Sequence, residues 1–242
     1  ITIPKMTLTE FSPLDLGMSM PTTSHDIKSF EEMDLGWGAM FYTTKLPQIE
    51  KSSRLSLNEA HDYAQIFINN KLIGTIDRTK NEKSIKLPPV KQGATLTILI
   101  EAMGRINFGR AVKDFKGITE SVTIDTEING HDVSYHLKNW VIAPISDSHK
   151  TAQYAFDKLD ETNRCFSPIN FSSPSIGYYR GYFNLKKVGD TFLNLEQWGK
   201  GQVYVNGHAL GRFWRIGPQQ TLYLPGCWLK KGRNEIIVMD IV

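Results

Sequence analysis

The sequence has 242 residues, 40% of them hydrophobic and 22% charged, which is the ordinary balance of a globular protein long enough for two domains. The net charge is only +3, and Lys and Arg are scattered along the chain rather than clustered. No apolar run approaches the roughly 18 residues that cross a bilayer. We therefore expect neither nucleic acid nor a membrane as a partner.

The first segment, residues 1–25, is rich in Thr, Ser, Pro and Met. We interpret it as a leading linker, which suggests that something lies upstream of the first domain. The opening residues lack the charged-then-apolar pattern of a signal peptide. A secreted, periplasmic or lysosomal-type location is therefore expected only if a longer precursor carries such a signal.

Short β-branched, apolar and aromatic runs dominate the rest of the chain, with turn residues between them. Helical periodicity is weak, and its best candidates are Asp26–Met33 and Thr151–Leu159. An all-β chain with short strands at this spacing is typical of a sandwich or barrel. The predicted strands are Leu55–Leu57, Gln65–Ile68, Thr95–Ile100, Ser121–Ile124, Asp132–Leu137, Phe192–Leu195, Gln202–Val205, Thr221–Leu224 and Glu235–Met239.

Two Asn-centred turns reveal an internal duplication. Asn69-Asn70 and Asn206-Gly207 each follow an apolar run, and Asn tolerates the positive φ angles that a tight hairpin turn needs. The residues around them, Gln65–Gly74 (QIFINNKLIG) and Gln202–Gly211 (QVYVNGHALG), match at an offset of 137 residues.

Four further segments repeat in the same order, with small drifts in the offset. They are Ser84–Pro88 with Thr221–Pro225 at 137, Leu55 and Leu57 with Leu193 and Leu195 at 138, Gly93–Leu96 with Gly232–Glu235 at 139, and Gly36–Thr44 with Gly177–Leu185 at 141. The chain is therefore predicted to hold two copies of one β-sandwich fold. Strand alternation places Ile66 and Ile68 inward in the first copy, and Val203 and Val205 inward in the second.

The repeat and the local composition together predict the domain organisation. We expect the first β-sandwich at residues 26–146 and the second at 167–242. Residues 147–166, which are polar and mixed in character, are interpreted as the connection between them.

No motif for catalysis, metal or cofactor binding is found within the sequence. The neighbouring carboxylates Glu31-Glu32 and Asp160-Glu161 would point to opposite faces of a strand, and we interpret them as solvated surface charges. We therefore predict no catalytic residue, no metal site and no cofactor. The two cysteines, Cys165 and Cys227, fit either one disulfide or two separate thiols.

Several motifs resemble the β-domains of glycoside hydrolase family 35 β-galactosidases. In the first copy they are Met103–Gly109 (MGRINFG), Asp114–Ile118 (DFKGI) and Asn139–Ile145 (NWVIAPI), and in the second they are Tyr179–Leu185, Asp190–Trp214 and Gly217–Ile241. The resemblance covers nearly the whole chain from about Gly36 onward, and the stretch WGKGQVYVNGHALGRFW is highly specific.

The resemblance implies a jelly-roll, galactose-binding-like fold for both copies. It also implies a parent enzyme that hydrolyses terminal β-galactosides with retention, using two Glu residues on a (β/α)₈ barrel that precedes the β-domains. The sequence shows no eightfold βα alternation, so no catalytic residue is carried over. The implied partners are the catalytic barrel of the same enzyme and a galactose-containing carbohydrate.

Two sets of residues are candidates for function. Arg105, Asn107 and Phe108 lie in a Gly-flanked loop, and they are expected either to face the substrate entrance of the barrel or, through Arg105, to tie the sandwich to its neighbouring domain. The second set, around the turn of the second copy, fits either a sugar-binding platform or an interface. It consists of Trp198, Arg212, Phe213 and Trp214.

We therefore expect the non-catalytic C-terminal region of a β-galactosidase, packed on the catalytic barrel and shaping its entrance. The alternative is a stand-alone carbohydrate-binding module for galactosides, which would present an exposed aromatic platform. A complete enzyme would need a carboxylate pair that the sequence does not reveal.

Overall fold

The computed structural model describes residues 1–110, 112–162 and 176–242, and these divide into two compact units. We call Met18–Ser146 the continuous unit. Ile1–Gly17 and Asp147–Val242 together form the split unit.

Strands make up most of the regular structure. In chain order they are β1 (Glu10–Pro13), β2 (Thr22–Ser24), β3 (Gly38–Lys45), β4 (Ser53–His61), β5 (Tyr63–Ile68), β6 (Lys71–Asp77), β7 (Ser84–Leu87), β8 (Thr95–Glu101), β9 (Gly117–Ile128), β10 (His131–His136), β11 (Trp140–Ser146), β12 (Gly177–Leu185), β13 (Thr191–Asn194), β14 (Lys200–Val205), β15 (His208–Trp214), β16 (Thr221–Leu224) and β17 (Gly232–Asp240). The helix α1 spans His149–Thr162, and short 3-10 helices lie at Leu14–Gly17, Glu31–Met33, Arg78–Lys80 and Gly226–Trp228.

The all-β prediction is confirmed strand by strand. Each predicted strand falls within an observed one, except that Leu137 and Leu195 lie one residue beyond the ends of β10 and β13. Alternating apolar and turn residues therefore locate strands well in this chain, because one buried face per strand leaves a period-2 pattern in the sequence.

The continuous unit is an antiparallel sandwich. Its sheets have the orders β2-β11-β3-β8-β5-β6 and β10-β9-β4-β7. Ile66 and Ile98 from the first sheet share one core with Leu55 and Ile124 from the second, and all four are 0% exposed. The two sheets therefore bury their facing surfaces against each other.

The split unit is also built from two antiparallel sheets, with the orders β1-β12-β17-β14-β15 and β13-β16. Val203 and Val205 of β14 pack in one core with Leu222 and Leu224 of β16. The inward direction predicted for these valines is thus confirmed.

The duplication is visible in the strand order. The strand order β3-β8-β5-β6 of the continuous unit recurs as β12-β17-β14-β15 in the split unit, and the pair β4-β7 recurs as β13-β16. Each hairpin even carries a register irregularity at the equivalent place, between Ile66 and Phe67 and between Val203 and Tyr204. The structure therefore gives the same offset of 137 residues at this hairpin as the sequence does.

Two of the predicted offsets were wrong. Ile66 lies opposite Ile98 while Val203 lies opposite Val238, which makes the offset between β8 and β17 140 rather than 139. A shift of one residue would have exchanged the two faces of the strand, so packing fixes this register.

The pairing of the first strands also needs correction. Tyr42 lies opposite Ile98 and Tyr179 lies opposite Val238, which gives an offset of 137 between β3 and β12 instead of 141. The two alignments differ by an even number of residues, so both preserve the alternation of faces and the sequence alone did not separate them.

The interpretation of residues 1–25 as a linker is corrected by two strands. Glu10–Pro13 pairs with β12, and Thr22–Ser24 pairs with β11. Both are strands at the edges of their sheets, where backbone hydrogen bonds to one neighbour suffice and a strong apolar pattern is not required. The composition of residues 1–25 therefore resembles that of a linker, although the segment contains two strands.

The predicted connection at 147–166 contains the helix α1. Ala152, Ala155 and Phe156 lie on one face at helical spacing, and each is at most 1% exposed. The connection beyond Thr162, including Cys165, lies outside the described residues. No helix among the described residues is long and apolar enough to cross a membrane.

Candidate functional site

The longest loop of the continuous unit connects β8 to β9. This β8–β9 loop, residues 102–116, exposes apolar side chains: Phe108 is 89% exposed, and Ile106, Val112 and Phe115 are 37%, 53% and 42% exposed. Asn107 is exposed beside Phe108. The loop thus presents apolar surface where a solvated turn would carry polar residues.

Arg105 braces this loop from within. Its guanidinium donates to the Glu31 carboxylate at 2.6 Å, to the Gly36 carbonyl at 2.8 Å and to the Asp114 carbonyl at 3.1 Å. All of these partners belong to the continuous unit. A planar guanidinium that makes three such bonds ties the start of the loop at Arg105 to its return at Asp114 and to the segment 31–36.

A buried network of charges holds both ends of the loop. The Lys116 ammonium, which is 0% exposed, donates to Asp62 at 2.7 Å and to Asp114 at 2.6 Å. Arg78 donates to the same two carboxylates at 2.7 and 2.8 Å. The Met103 amide, at the start of the loop, donates to Asp62 at 2.7 Å.

The carboxylates of this network stay ionised. Burial by itself raises the pKa of Asp62, but hydrogen bonds from Lys116 and Arg78 outweigh it and hold that pKa below its ordinary value. The pKa of Asp114 is lowered in the same way: burial opposes the shift, and the bonds from Lys116 and Arg78 produce it.

The candidates of the second copy do not form one surface. Phe213 is 2% exposed and belongs to the core, because it alternates in β15 with Arg212 and Trp214. Trp214 packs against the Lys200 ammonium, which lies 4.7 Å from its ring centre. Trp198 packs against the same core as Phe213 and makes an edge-to-face contact with Tyr179 at 5.1 Å.

The described residues hold no group of His, Cys, Asp and Glu arranged to bind a metal ion. Cys227 is exposed and forms no disulfide with another described residue.

Comparison with known proteins assigns both units to one family. Residues 28–145, in the continuous unit, match the family model described as "Beta-galactosidase, first all-beta domain". Residues 176–234, in the split unit, match the model described as "Beta-galactosidase, galactose-binding domain". The chain belongs to the β-galactosidase family.

Its relatives are longer proteins. Beta-galactosidase-1-like protein 3 of Rattus norvegicus is 37% identical over 182 residues, which cover 74% of this chain and 26% of that protein. Beta-galactosidase of Homo sapiens is 31% identical over 263 residues, which cover 98% of this chain and 36% of that protein. The chain thus spans about a third or less of the curated β-galactosidases that it matches.

A solved lectin of Pleurotus ostreatus in complex with GalNAc also matches, with a TM-score of 0.33 and 11% identity over 97% of this chain and 77% of that one. So weak a likeness adds nothing to the family assignment.

The buried network of the continuous unit is not predicted from the sequence. Asp114 and Lys116 were recognised only as part of the motif DFKGI, and Asp62 and Arg78 not at all. The available signal was the spacing of Asp114 and Lys116, which places two opposite charges on one face of an extended segment. Their partners lie 54 and 36 residues away, and only the fold brings them together.

Proposed function

We propose that this chain is a non-catalytic region of a β-galactosidase that packs on the catalytic domain of the same enzyme and shapes its substrate entrance. The observation that carries the proposal is the β8–β9 loop, whose apolar tip is exposed although its base is rigidly held by buried charges. An exposed apolar surface on a fixed support is typical of an interface, since little entropy is lost when a partner covers it.

The charge of the loop indicates the character of the partner surface. Arg110 and Lys113 are exposed, and the segment 103–113 contains no acidic residue. A retaining glycosidase carries two carboxylates at its active site. Their negative charge attracts a basic loop to the entrance of that site. Phe108 is placed by this proposal at the rim of that entrance, where its ring stacks on a sugar.

The buried carboxylates Asp62 and Asp114 are unsuited to catalysis. Asp62 and Asp114 share the Lys116 ammonium, and their side chains are only 3% and 2% exposed. Lys116 and Arg78 neutralise both carboxylates, so neither is an acid at neutral pH, and burial keeps both from a substrate. Their proximity serves the fold, whereas retaining hydrolysis needs an accessible acid and nucleophile about 5 Å apart.

A second candidate function, binding of galactosides by the chain itself, is favoured by a groove in the split unit lined by Trp198 and Tyr179. It is compatible with the first, because the two surfaces lie on different units.

Association with the catalytic domain is the test of the proposal. This chain and the remainder of its parent β-galactosidase are co-expressed as separate polypeptides, and co-purification through a tag on one of them is measured. We expect a stable complex that Ile106→Asp in the loop weakens by at least tenfold. Met20→Asp, at a residue 87% exposed outside the loop, serves as the control. Equal co-purification of both variants would contradict packing through this loop.

A further inference from the structure

Basic residues that lie apart in the sequence meet at one end of the five-stranded sheet of the split unit. Strand β12 ends there at Leu185, directly opposite Gly232 at the start of β17. The residues at and just beyond these two strand ends include five exposed cations. We call them the basic cluster, and they are Lys186, Lys187, Lys230, Lys231 and Arg233.

No carboxylate balances the basic cluster. The segments 184–189 and 228–234 contain no acidic residue, and none of the five cations forms an ion pair with a carboxylate of the described residues. The acidic residues nearest in the sequence are engaged elsewhere: Asp190 accepts from a backbone amide at 2.7 Å, and Glu235 is bonded to His149 at 3.1 Å. Like charges held close together repel each other, and a negatively charged ligand relieves that repulsion.

The backbone beneath the cluster is fixed by a buried amide. The side chain of Asn234, which is 0% exposed, donates to the carbonyls of Lys230 and Gly232 at 2.8 and 3.0 Å and accepts from the Lys230 amide at 2.9 Å. The Arg233 guanidinium lies 3.7 Å from the centre of the Tyr182 ring, a cation–π contact that holds it in place. Little backbone entropy is therefore lost when a ligand binds.

The duplicated fold does not itself require this pair of lysines. Strand β8 of the continuous unit is the counterpart of β17, and the loop before it carries Lys91 and Gln92 where β17 is preceded by Lys230 and Lys231. The corresponding loop thus folds with a single Lys. The second Lys adds charge without a structural need that both copies share.

The surface around the cluster favours an acidic polysaccharide over other polyanions. Peripheral membrane surfaces combine basic residues with exposed Trp, Phe or Leu, and the described segments 184–189 and 228–234 expose none of these. Single-stranded nucleic acid stacks its bases on several aromatic rings, whereas these segments contribute one aromatic stack, Trp228 on His208 with ring centres 4.7 Å apart. A polysaccharide needs neither feature, because its sulfate or carboxylate groups pair directly with Lys and Arg.

We propose that the basic cluster binds an acidic polysaccharide. Sulfate or carboxylate groups along the polysaccharide accept charge-assisted hydrogen bonds from the four ammonium groups and from the Arg233 guanidinium. The negative charge of the ligand follows from the cluster itself, while the choice of a polysaccharide rests on the proposed function within a glycosidase. The cluster belongs to the split unit, whereas the β8–β9 loop belongs to the continuous unit, so this ligand is a docking partner distinct from the substrate at the entrance.

Titration of labelled heparin and of labelled polygalacturonate with the 242-residue protein, followed by fluorescence anisotropy, tests the proposal. We expect saturable binding of at least one of them, weakening steeply as salt rises from about 0.05 to about 0.2 M because bound anions release counterions. The double variant Lys230→Ala/Lys231→Ala should bind about tenfold more weakly. The control, Lys86→Ala/Lys91→Ala, removes the same charge from exposed positions of the continuous unit and should change binding less than about twofold. All four side chains are exposed, so both variants should fold, as circular dichroism will verify.

Three results would overturn the proposal: binding of neither polysaccharide, equal weakening in the two double variants, or tighter binding to phosphatidylserine vesicles or single-stranded DNA than to either polysaccharide. Co-purification with the catalytic domain is measured through the β8–β9 loop and involves none of these lysines. Failure of this site and failure of the proposed function are therefore distinguished.

Discussion

Asp62 and Lys116 form an ion pair of 2.7 Å in the interior of the continuous unit, where their side chains are 3% and 0% exposed. The same Asp62 carboxylate accepts from the amide of Met103, where the β8–β9 loop begins. A single buried residue thus couples the stability of the sandwich to the position of the β8–β9 loop.

Replacing Asp62 by Asn should therefore destabilise the protein. The change removes one of the two negative charges that balance Lys116 and Arg78, and breaking a buried pair costs about 3–5 kcal/mol. Denaturant-induced unfolding measures the loss. Glu127→Gln, which removes the partner of Lys51 in a half-exposed pair, should have no measurable effect. Equal stability of the two variants would mean that the network contributes nothing.

The same network predicts how stability depends on pH. The pKa values of Asp62 and Asp114 are lower in the folded protein than their ordinary value of 3.8. Their contribution is therefore complete above the unfolded pKa and is lost as the pH falls through the folded pKa values. The free energy of unfolding should drop steeply below about pH 4, and less steeply in Asp62→Asn. If the free energy of unfolding depends on pH in the same way in both proteins, the network is not the origin of the drop.

The two copies of the hairpin predict unequal effects of one substitution. Asn206 and Asn69 both have a φ of 47°. The Asn206 side chain contacts Trp228, Asn234 and Glu235, whereas that of Asn69 accepts from the Thr95 amide. Asn206→Ala should cost about 2–3 kcal/mol and Asn69→Ala about 1 kcal/mol, because each hydrogen bond contributes about 1 kcal/mol. Thermal unfolding of the two variants provides the comparison, and a larger effect at Asn69 would contradict it.

Phe108→Ala should separate a role at the substrate entrance from a role in folding. Its side chain is 89% exposed, so the variant should unfold at the same temperature as the unchanged protein. In a β-galactosidase that contains this chain as proposed, the variant should raise KM for disaccharides about fivefold, the loss expected for one aromatic contact of about 1 kcal/mol. Met20→Ala, at a residue 87% exposed, is the matched control. An unchanged KM would contradict a position of Phe108 at the substrate entrance.

The fold follows from local patterns, and the arrangement of the candidate site does not. Asn206-Gly207 and the alternating apolar residues before it specify a hairpin from neighbouring residues alone, and the repeat around Asn69 supports the same interpretation independently. By contrast, nothing near Arg105 in the sequence indicates that it turns back to Glu31 and Gly36. Phe213 and Trp214 are candidates because both lie near the Asn206 turn in the sequence, but adjacent residues of a strand point to opposite faces.

Activity against a chromogenic β-galactoside tests the central claim most directly. The assay compares the 242-residue protein with a full-length relative, the β-galactosidase of Homo sapiens, at equal concentration. We expect hydrolysis by the full-length relative and none by the 242-residue protein, because the proposed role of the latter is non-catalytic. Hydrolysis by the 242-residue protein would show that the sandwiches themselves hold a catalytic pair, and the non-catalytic role would be wrong.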